Sequence, residues 1–217
     1  MADHRRFLDN PKYHPRNVYA FTSKLHAPER EVLEREFGWT SNGIGDATAA
    51  LINTAANAPD GLWYEQAQQD AEAARKEALN LDIPGCEPGV DYDPGRDPHN
   101  DCRDAYRHAL WVALMAPRDP AAAKRQADAH ERSATNNFNE HFMDLWSNRE
   151  GLQAVEGLPK GSDPRSALAE SMKNRRLLRN VDEALVITSR LLPTGVKTSA
   201  RKGRIPSVSE RIDALRW

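Results

Sequence analysis

Three residues capable of acid–base chemistry lie together in the segment DAYRHALW, residues 104–111. Asp104, Arg107 and His108 stand three and four positions apart, which places them on one face of a helix. The rest of the segment is apolar, so we expect the helix to be buried, where charges are costly unless they are paired. An Asp that orients an imidazole also prepares it as a general base. The segment therefore predicts either a structural buried network or a catalytic His108.

A second group of chemically competent residues follows in the segment ADAHERSATNNFNEHFMDLWSN, residues 127–148. The connection from the first segment, Pro-Arg-Asp at 117–119, is short, which favours an antiparallel helical hairpin. In such a hairpin His108 faces the early part of the second helix, near Asp128, His130 and Glu131. Ligand and metal sites of helical proteins are built in this way, between facing helices.

These residues suggest a hydrolytic site. His108 is expected to act as base with Asp104 as its orienter, while Arg107 offsets the acids and Glu131 serves as the acid. A divalent metal is one option for activating water, and a site without a metal is the other. The candidate metal ligands are Asp128, His130 and Asp144.

The other histidines and the known hydrolase motifs do not identify further site residues. His99 and His141, taken singly, are assigned to the surface or to helix caps. The zincin motif HExxH is absent, because the residues after His130 are ERSA. A serine nucleophile elbow, G-x-S-x-G, is also missing, which disfavours a serine lipase.

Helical patterns recur along the chain, and no strong strand pattern is visible. Asp-Pro pairs at 97–98, 119–120 and 163–164 are typical of helix starts, because Asp caps free N–H groups and Pro suits the first position. We expect central helices from Asn100 to Ala116 and from Pro120 toward Trp146, with a possible break in TNNFNE. A third helix is expected from Pro164 to about Asn180, followed by one more in VDEALVITSRLL. The sequence thus predicts an all-α, single mostly helical domain around a central antiparallel pair.

The chain divides by pattern into three parts. Residues 1–81 form an N-terminal helical region, residues 82–193 carry the central helices, and residues 194–217 make a flexible basic tail. The segment 82–101 has four Pro and three Gly and is expected to be a long loop. Cys86 and Cys102 are not in a CxxC pair, which excludes a four-cysteine zinc site, and reduced thiols are expected.

Composition and charge restrict the class of protein. Hydrophobic residues make up 39% and charged residues 29%, as in soluble globular proteins. No stretch is apolar enough to span a membrane, and the N-terminus lacks the apolar core of a signal peptide. We therefore expect synthesis in the cytoplasm, with any delivery into a target cell by a signal-independent system. The net charge of −2 hides a basic end, since residues 165–217 hold 12 Lys and Arg against 5 Asp and Glu.

The motifs DAYRHALWVALM, ADAHE and MDLWSNREG resemble an uncharacterised bacterial domain found at the C-termini of polymorphic toxins and related secreted proteins. The resemblance runs from about Asn100 to Gly151. It departs in the stretch Trp146-Ser147-Asn148, where that domain has a His or other polar residue and then Asn-Asn. The resemblance implies an effector used in competition between bacteria, with a cognate immunity protein and a secretion-machinery component as partners. It does not supply a reaction.

Three functions remain open at this point. The first is an antibacterial hydrolase that attacks peptidoglycan or phospholipid of the cell envelope. The second is a non-enzymatic module that binds nucleic acid or an anionic membrane through its basic C-terminal part. The third is a toxin that acts by insertion or binding without catalysis. We favour the hydrolase, because the chemically competent residues are concentrated in two helices.

Overall fold

The computed structural model describes residues 25–39, 62–80, 98–133, 136–159 and 161–196. Within these ranges the protein is all-α, and no strand is present. Seven helices are described there: α1 (Ala27–Phe37), α2 (Leu62–Leu79), α3 (Cys102–Met115), α4 (Pro120–Ser133), α5 (Phe138–Val155), α6 (Pro164–Lys173) and α7 (Val181–Leu191). None of these helices is long and apolar enough to cross a membrane. Part of the N-terminal helical region 1–81, most of the 82–101 loop and the tail beyond residue 196 lie outside the described residues.

Helix boundaries follow local capping chemistry. Asp119 and Asp163 precede prolines that begin α4 and α6, and each side chain accepts a backbone N–H of the first turn. The cap of α3 is Asp101, whose side chain accepts the N–H groups of Arg103 and Asp104. The α6 helix ends at Lys173 rather than near Asn180. It ends there because Arg175 adopts a left-handed conformation, with φ 56°, which closes the last turn.

The helix expected from Pro120 toward Trp146 is divided into two, and the second begins inside TNNFNE, where the sequence allowed for a break. The first, α4, ends at Ser133, and the second, α5, starts at Phe138. Asn137 caps α5, since its side chain accepts the N–H groups of Asn139 and Glu140, while the Glu140 carboxylate accepts the Asn137 N–H. This reciprocal capping box starts a new helix within the poor helix formers of TNNFNE.

The helix α3 lies at the centre of the molecule and is buried almost all round, as its sequence predicted. Of its 14 residues, only Arg107 and Leu114 are not buried. It packs mainly against α5 and α2. Trp111 fixes α2 in place, because its indole N–H donates to the carbonyl of Ala67 at 3.0 Å. Side chains from α1, α2 and the later helices join the same apolar core.

A glycine sets the close approach of α5 to α3. A Cβ added at Gly151 would lie 2.3 Å from the carbonyl oxygen of Ala109, the residue that follows His108. Only a residue without a side chain fits there. The contact fixes how deeply α5, which carries Asp144, sits against α3.

Cysteine chemistry differs from the expectation. Cys102, the first residue of α3, is disulfide-bonded. The expected reduced thiol at this position is therefore wrong. The chain has two cysteines, and the other, Cys86, lies outside the described residues.

Candidate functional site

The imidazole of His108 lies between carboxylates that come from three helices. Its Nδ1 is 3.6 Å from Oε1 of Glu131 on α4. On the other side, Nε2 is 3.5 Å from Oδ1 of Asp144 on α5 and 3.7 Å from Oδ1 of Asp104 on α3 itself. The side chains of these four residues are buried. The structure therefore brings together three of the four residues assigned catalytic roles, with Asp144 from the metal set.

His141 extends this arrangement, contrary to its assignment to the surface. Its side chain is fully buried, and its Nδ1 lies 3.6 Å from Oε2 of Glu131. Trp39 covers the ring, with the two centroids 5.7 Å apart. A sequence signal existed, because His141 shares a helical face with Asp144 and Asn148. We refer below to His108, Glu131, His141 and Asp144 as the central cluster.

The atoms of the central cluster face each other without forming hydrogen bonds. Six of its buried atoms have no hydrogen-bond partner among the residues that the structure describes: Nδ1 of His108, both carboxylate oxygens of Glu131, both ring nitrogens of His141 and Oδ1 of Asp144. Buried polar groups are nearly always bonded, and each one left unsatisfied costs about 1–3 kcal/mol. A concentration of such atoms at one place therefore indicates a site for something that these atoms bind.

Burial and neighbouring charges set the protonation states. Burial, followed by the nearby Arg107 guanidinium, lowers the pKa of His108 to about 4, so the imidazole is neutral at neutral pH. Burial, followed by the charges of Glu131 and Asp104, raises the pKa of Asp144 well above its usual value. Burial alone would also raise the pKa of Glu131, but the contact with His141 and the neighbouring imidazoles outweigh it and lower that pKa to about 2. The cluster thus offers a neutral imidazole beside an ionised carboxylate.

Arg107 is the cation on the Asp104 side of the cluster. Its NH2 group lies 2.6 Å from Oδ1 of Asp104 and 3.1 Å from Nε2 of His108. The other oxygen of Asp104 accepts the backbone N–H of Asn100 at 2.7 Å. Asp104 is therefore a saturated carboxylate, and Arg107 offsets its charge, as the sequence predicted.

His130 lies beside the cluster and is exposed. Its ring centroid is 5.8 Å from that of His108 and 5.4 Å from that of Trp111. Asp128, two residues earlier on α4, does not join them. Its carboxylate pairs with Nζ of Lys124 at 2.6 Å, and its backbone carbonyl accepts the indole N–H of Trp39.

Two groups of three side chains could each hold a metal ion. One comprises His108, His130 and Glu131, and the other comprises Asp104, His108 and Asp144. Within each group, one potential ligand atom per residue lies within 4.8 Å of the others. Two of the three expected metal ligands, His130 and Asp144, are thus placed where a metal could bind.

Comparison with known proteins adds a family likeness but no activity. No curated protein and no solved structure matches the chain. One family model does match, that of a domain of unknown function, DUF6973, over residues 91–179. Helices α3 to α6 and every residue of the central cluster fall within that segment. The chain is therefore similar to the DUF6973 family over the part that carries its candidate site.

Proposed function

We propose that the protein is a metal-dependent hydrolase whose metal ligands are His108, His130 and Glu131. The observation that carries the proposal is the pair of unsatisfied buried atoms, Nδ1 of His108 and Oε1 of Glu131, that face each other 3.6 Å apart. Two ligands bound at 2.0–2.2 Å to a tetrahedral zinc ion are about 3.3–3.6 Å apart. The 3.6 Å between Nδ1 and Oε1 is too long for a hydrogen bond and matches the distance between two ligand atoms of one metal ion.

Charge and access favour this group over Asp104, His108 and Asp144. The Arg107 guanidinium already lies against Asp104 and Nε2 of His108, and its positive charge opposes a metal ion there. Around Glu131, the described part of the chain places imidazoles and no Arg or Lys. Its third member, His130, is exposed, which gives water and substrate a route to the metal. Two His with one Glu is also a ligand set of catalytic zinc sites, which keep an open position.

The remaining cluster residues would orient the ligands. With Nδ1 of His108 toward the metal, Nε2 would carry the ring proton and direct it to Oδ1 of Asp144, 3.5 Å away, while the Arg107 guanidinium, 3.1 Å from Nε2, would donate to Asp104 alone. His141 would orient Glu131 in the same way, through the oxygen that does not face His108. A metal bound here would supply a water of lowered pKa and an electrophile for the scissile carbonyl or phosphoryl group.

The role in competition between bacteria and the envelope substrate rest on the resemblance of the three motifs alone. They remain part of the proposal, with an immunity protein and a secretion component as partners. The alternative of a binding module depends on the basic C-terminal part, and much of that part, residues 197–217, lies outside the described residues.

The test is an assay of purified protein on peptidoglycan fragments and on phospholipid vesicles, before and after chelation. We expect product from one of them, loss of activity with EDTA and recovery with Zn²⁺ or Mn²⁺. Glu131→Gln and His130→Ala should abolish activity. Glu29→Gln is the matched control, because Glu29 is equally buried but accepts the N–H of His26 at 2.7 Å in a helix cap. Activity that survives both chelation and Glu131→Gln would contradict the proposal.

A further inference from the structure

A groove lies one helical turn from the proposed metal ligands. Helices α1, α3, α4 and α5 line it, and its walls include Phe37, Val112, Leu145 and Leu152. Val112 follows His108 by four residues, and Asn148, also in the lining, follows Asp144 by four. One turn of helix is about 5.4 Å. The helices that carry the cluster therefore also form this groove.

The groove lining includes the buried amide of Asn148. Its side chain is 4% exposed, and neither Nδ2 nor Oδ1 makes a hydrogen bond with any residue in the described ranges. An unsatisfied buried amide destabilises the fold, so its presence in a groove lining points to a ligand. An Asn side chain offers both N–H donors and a carbonyl acceptor, which complements the N–H and C=O of a peptide bond.

A guanidinium stands at the same groove. Arg149 lies over the ring of Trp146, with Cζ 4.3 Å from the centroid, and 5.2 Å from that of Phe37. Within the described part of the chain it makes no ion pair, and its Nε has no hydrogen-bond partner. A guanidinium held in place by aromatic rings is suited to bind a carboxylate through two N–H groups.

We propose that this groove binds a peptide with an apolar side chain and a free carboxylate, so that the substrate of the proposed hydrolase is a peptide. The apolar walls would receive the side chain, Asn148 the peptide amide and Arg149 the carboxylate. A phospholipid fits less well, because its ester groups only accept hydrogen bonds and would leave Oδ1 of Asn148 unsatisfied. This inference rests on the proposed function for the reaction, but not for the binding.

Binding is measured by calorimetry on the Glu131→Gln protein, so that hydrolysis does not interfere. The probes are N-acetyl-Ala-Leu, the same dipeptide with a C-terminal amide, and phosphatidylglycerol vesicles. We expect the free acid to bind and the amide to bind about tenfold more weakly, because a charge-assisted pair is lost. Adding Asn148→Leu should weaken binding of the acid about tenfold or more, with a melting temperature that is unchanged or higher, because an unsatisfied amide is removed.

Two further variants make the test specific. Arg149→Met should abolish the preference for the acid over the amide. If Asn148→Leu fails to fold, the preference measured for Arg149→Met alone tests whether the groove binds the peptide. Gln126→Leu is the matched control, because Gln126 also has an unpartnered buried oxygen but does not line the groove. It should leave binding of the acid unchanged.

Three results would overturn the inference: equal binding of acid and amide, binding that is indifferent to Asn148→Leu, or binding of the vesicles in place of the peptide. The two proposals fail separately. A peptide that binds but is never hydrolysed by the metal-loaded wild-type protein contradicts the hydrolase and leaves the groove intact. Peptide hydrolysis that does not depend on Asn148 or Arg149 contradicts only the groove.

Discussion

The first turn of α3 and the turn that follows it both bury charged groups, but they treat them differently. In the first turn, Asp101 accepts two backbone N–H groups and pairs with Arg103, whose NH2 lies 2.9 Å from Oδ2. One turn later, His108 faces Glu131 and Asp144 at 3.5–3.6 Å with no hydrogen bond between them. Both places are almost completely buried. Burial of charge alone therefore does not distinguish a structural network from a site.

A structural network differs from a binding site in whether its buried polar atoms all have hydrogen-bond partners. A network whose every oxygen has a donor, like that of Asp101, contributes to the fold and has no capacity to bind anything else. The central cluster retains six unpartnered atoms, which destabilise the fold until a ligand satisfies them. The first turn of α3 thus stabilises the fold, and the next turn can bind a ligand. Substitutions in the two turns should therefore differ in their effect on the free energy of unfolding.

The largest effect on stability is expected from Asp101→Ala. The change removes the cap of α3 and one partner of a buried ion pair, which should reduce the free energy of unfolding by about 3–5 kcal/mol. Denaturant titration measures it. The control is Asp163→Ala, which removes the exposed cap of α6 and should cost only about 0.5–1 kcal/mol. Similar losses for the two variants would show that the first turn of α3 is not a special structural network.

Gly151→Ala should come next. The added methyl would meet the carbonyl of Ala109 at 2.3 Å, and backbone atoms have little freedom to yield. We expect a loss of about 2–3 kcal/mol, because α5 must move away from α3. The same movement would separate Asp144 from His108. Thermal denaturation measures the stability, and an unchanged melting temperature would show that α5 does not approach α3 so closely.

The smallest effect on stability should come from Asp144→Asn in the cluster. Because the pKa of Asp144 is raised, its carboxyl group is expected to be neutral in the metal-free protein, and an amide of the same shape replaces it. The free energy of unfolding should change by less than about 1 kcal/mol, much less than for Asp101→Ala. Oδ2 accepts the side-chain N–H of Asn136 at 2.7 Å, a contact that Asn can preserve. A loss of several kcal/mol would mean that the cluster is structural.

Much of the fold could be predicted from the sequence, because the signals were local. Asp-Pro pairs marked the starts of α4 and α6, and the apolar residues around His108 indicated a buried helix. The end of α4 was harder to predict. The poor helix formers of TNNFNE allowed for a break, but the residue at which α5 starts depends on the capping box of Asn137 with Glu140.

The site was predicted in part for the same reason. The Asp104–His108 pair lies on one helix, where spacing determines the geometry, and the short connection indicated that Glu131 would approach His108. The contribution of His141 depends on the break between α4 and α5, which turns the chain and brings this residue back to Glu131. Asp128 was grouped with the site because it is close in sequence, but a lysine four residues earlier on α4 pairs with it.

Elemental analysis of the purified protein tests most directly whether His108, His130 and Glu131 hold a metal ion. Protein stripped with EDTA and dialysed against a mixture of Zn²⁺, Mn²⁺, Fe²⁺ and Mg²⁺ should retain one divalent ion per chain. Glu131→Gln should lose that ion, while Glu29→Gln and Asp128→Asn should keep it. A stoichiometry near zero in the wild-type protein, or the same metal content in Glu131→Gln, would contradict the account and make the cluster a buried polar network without a ligand.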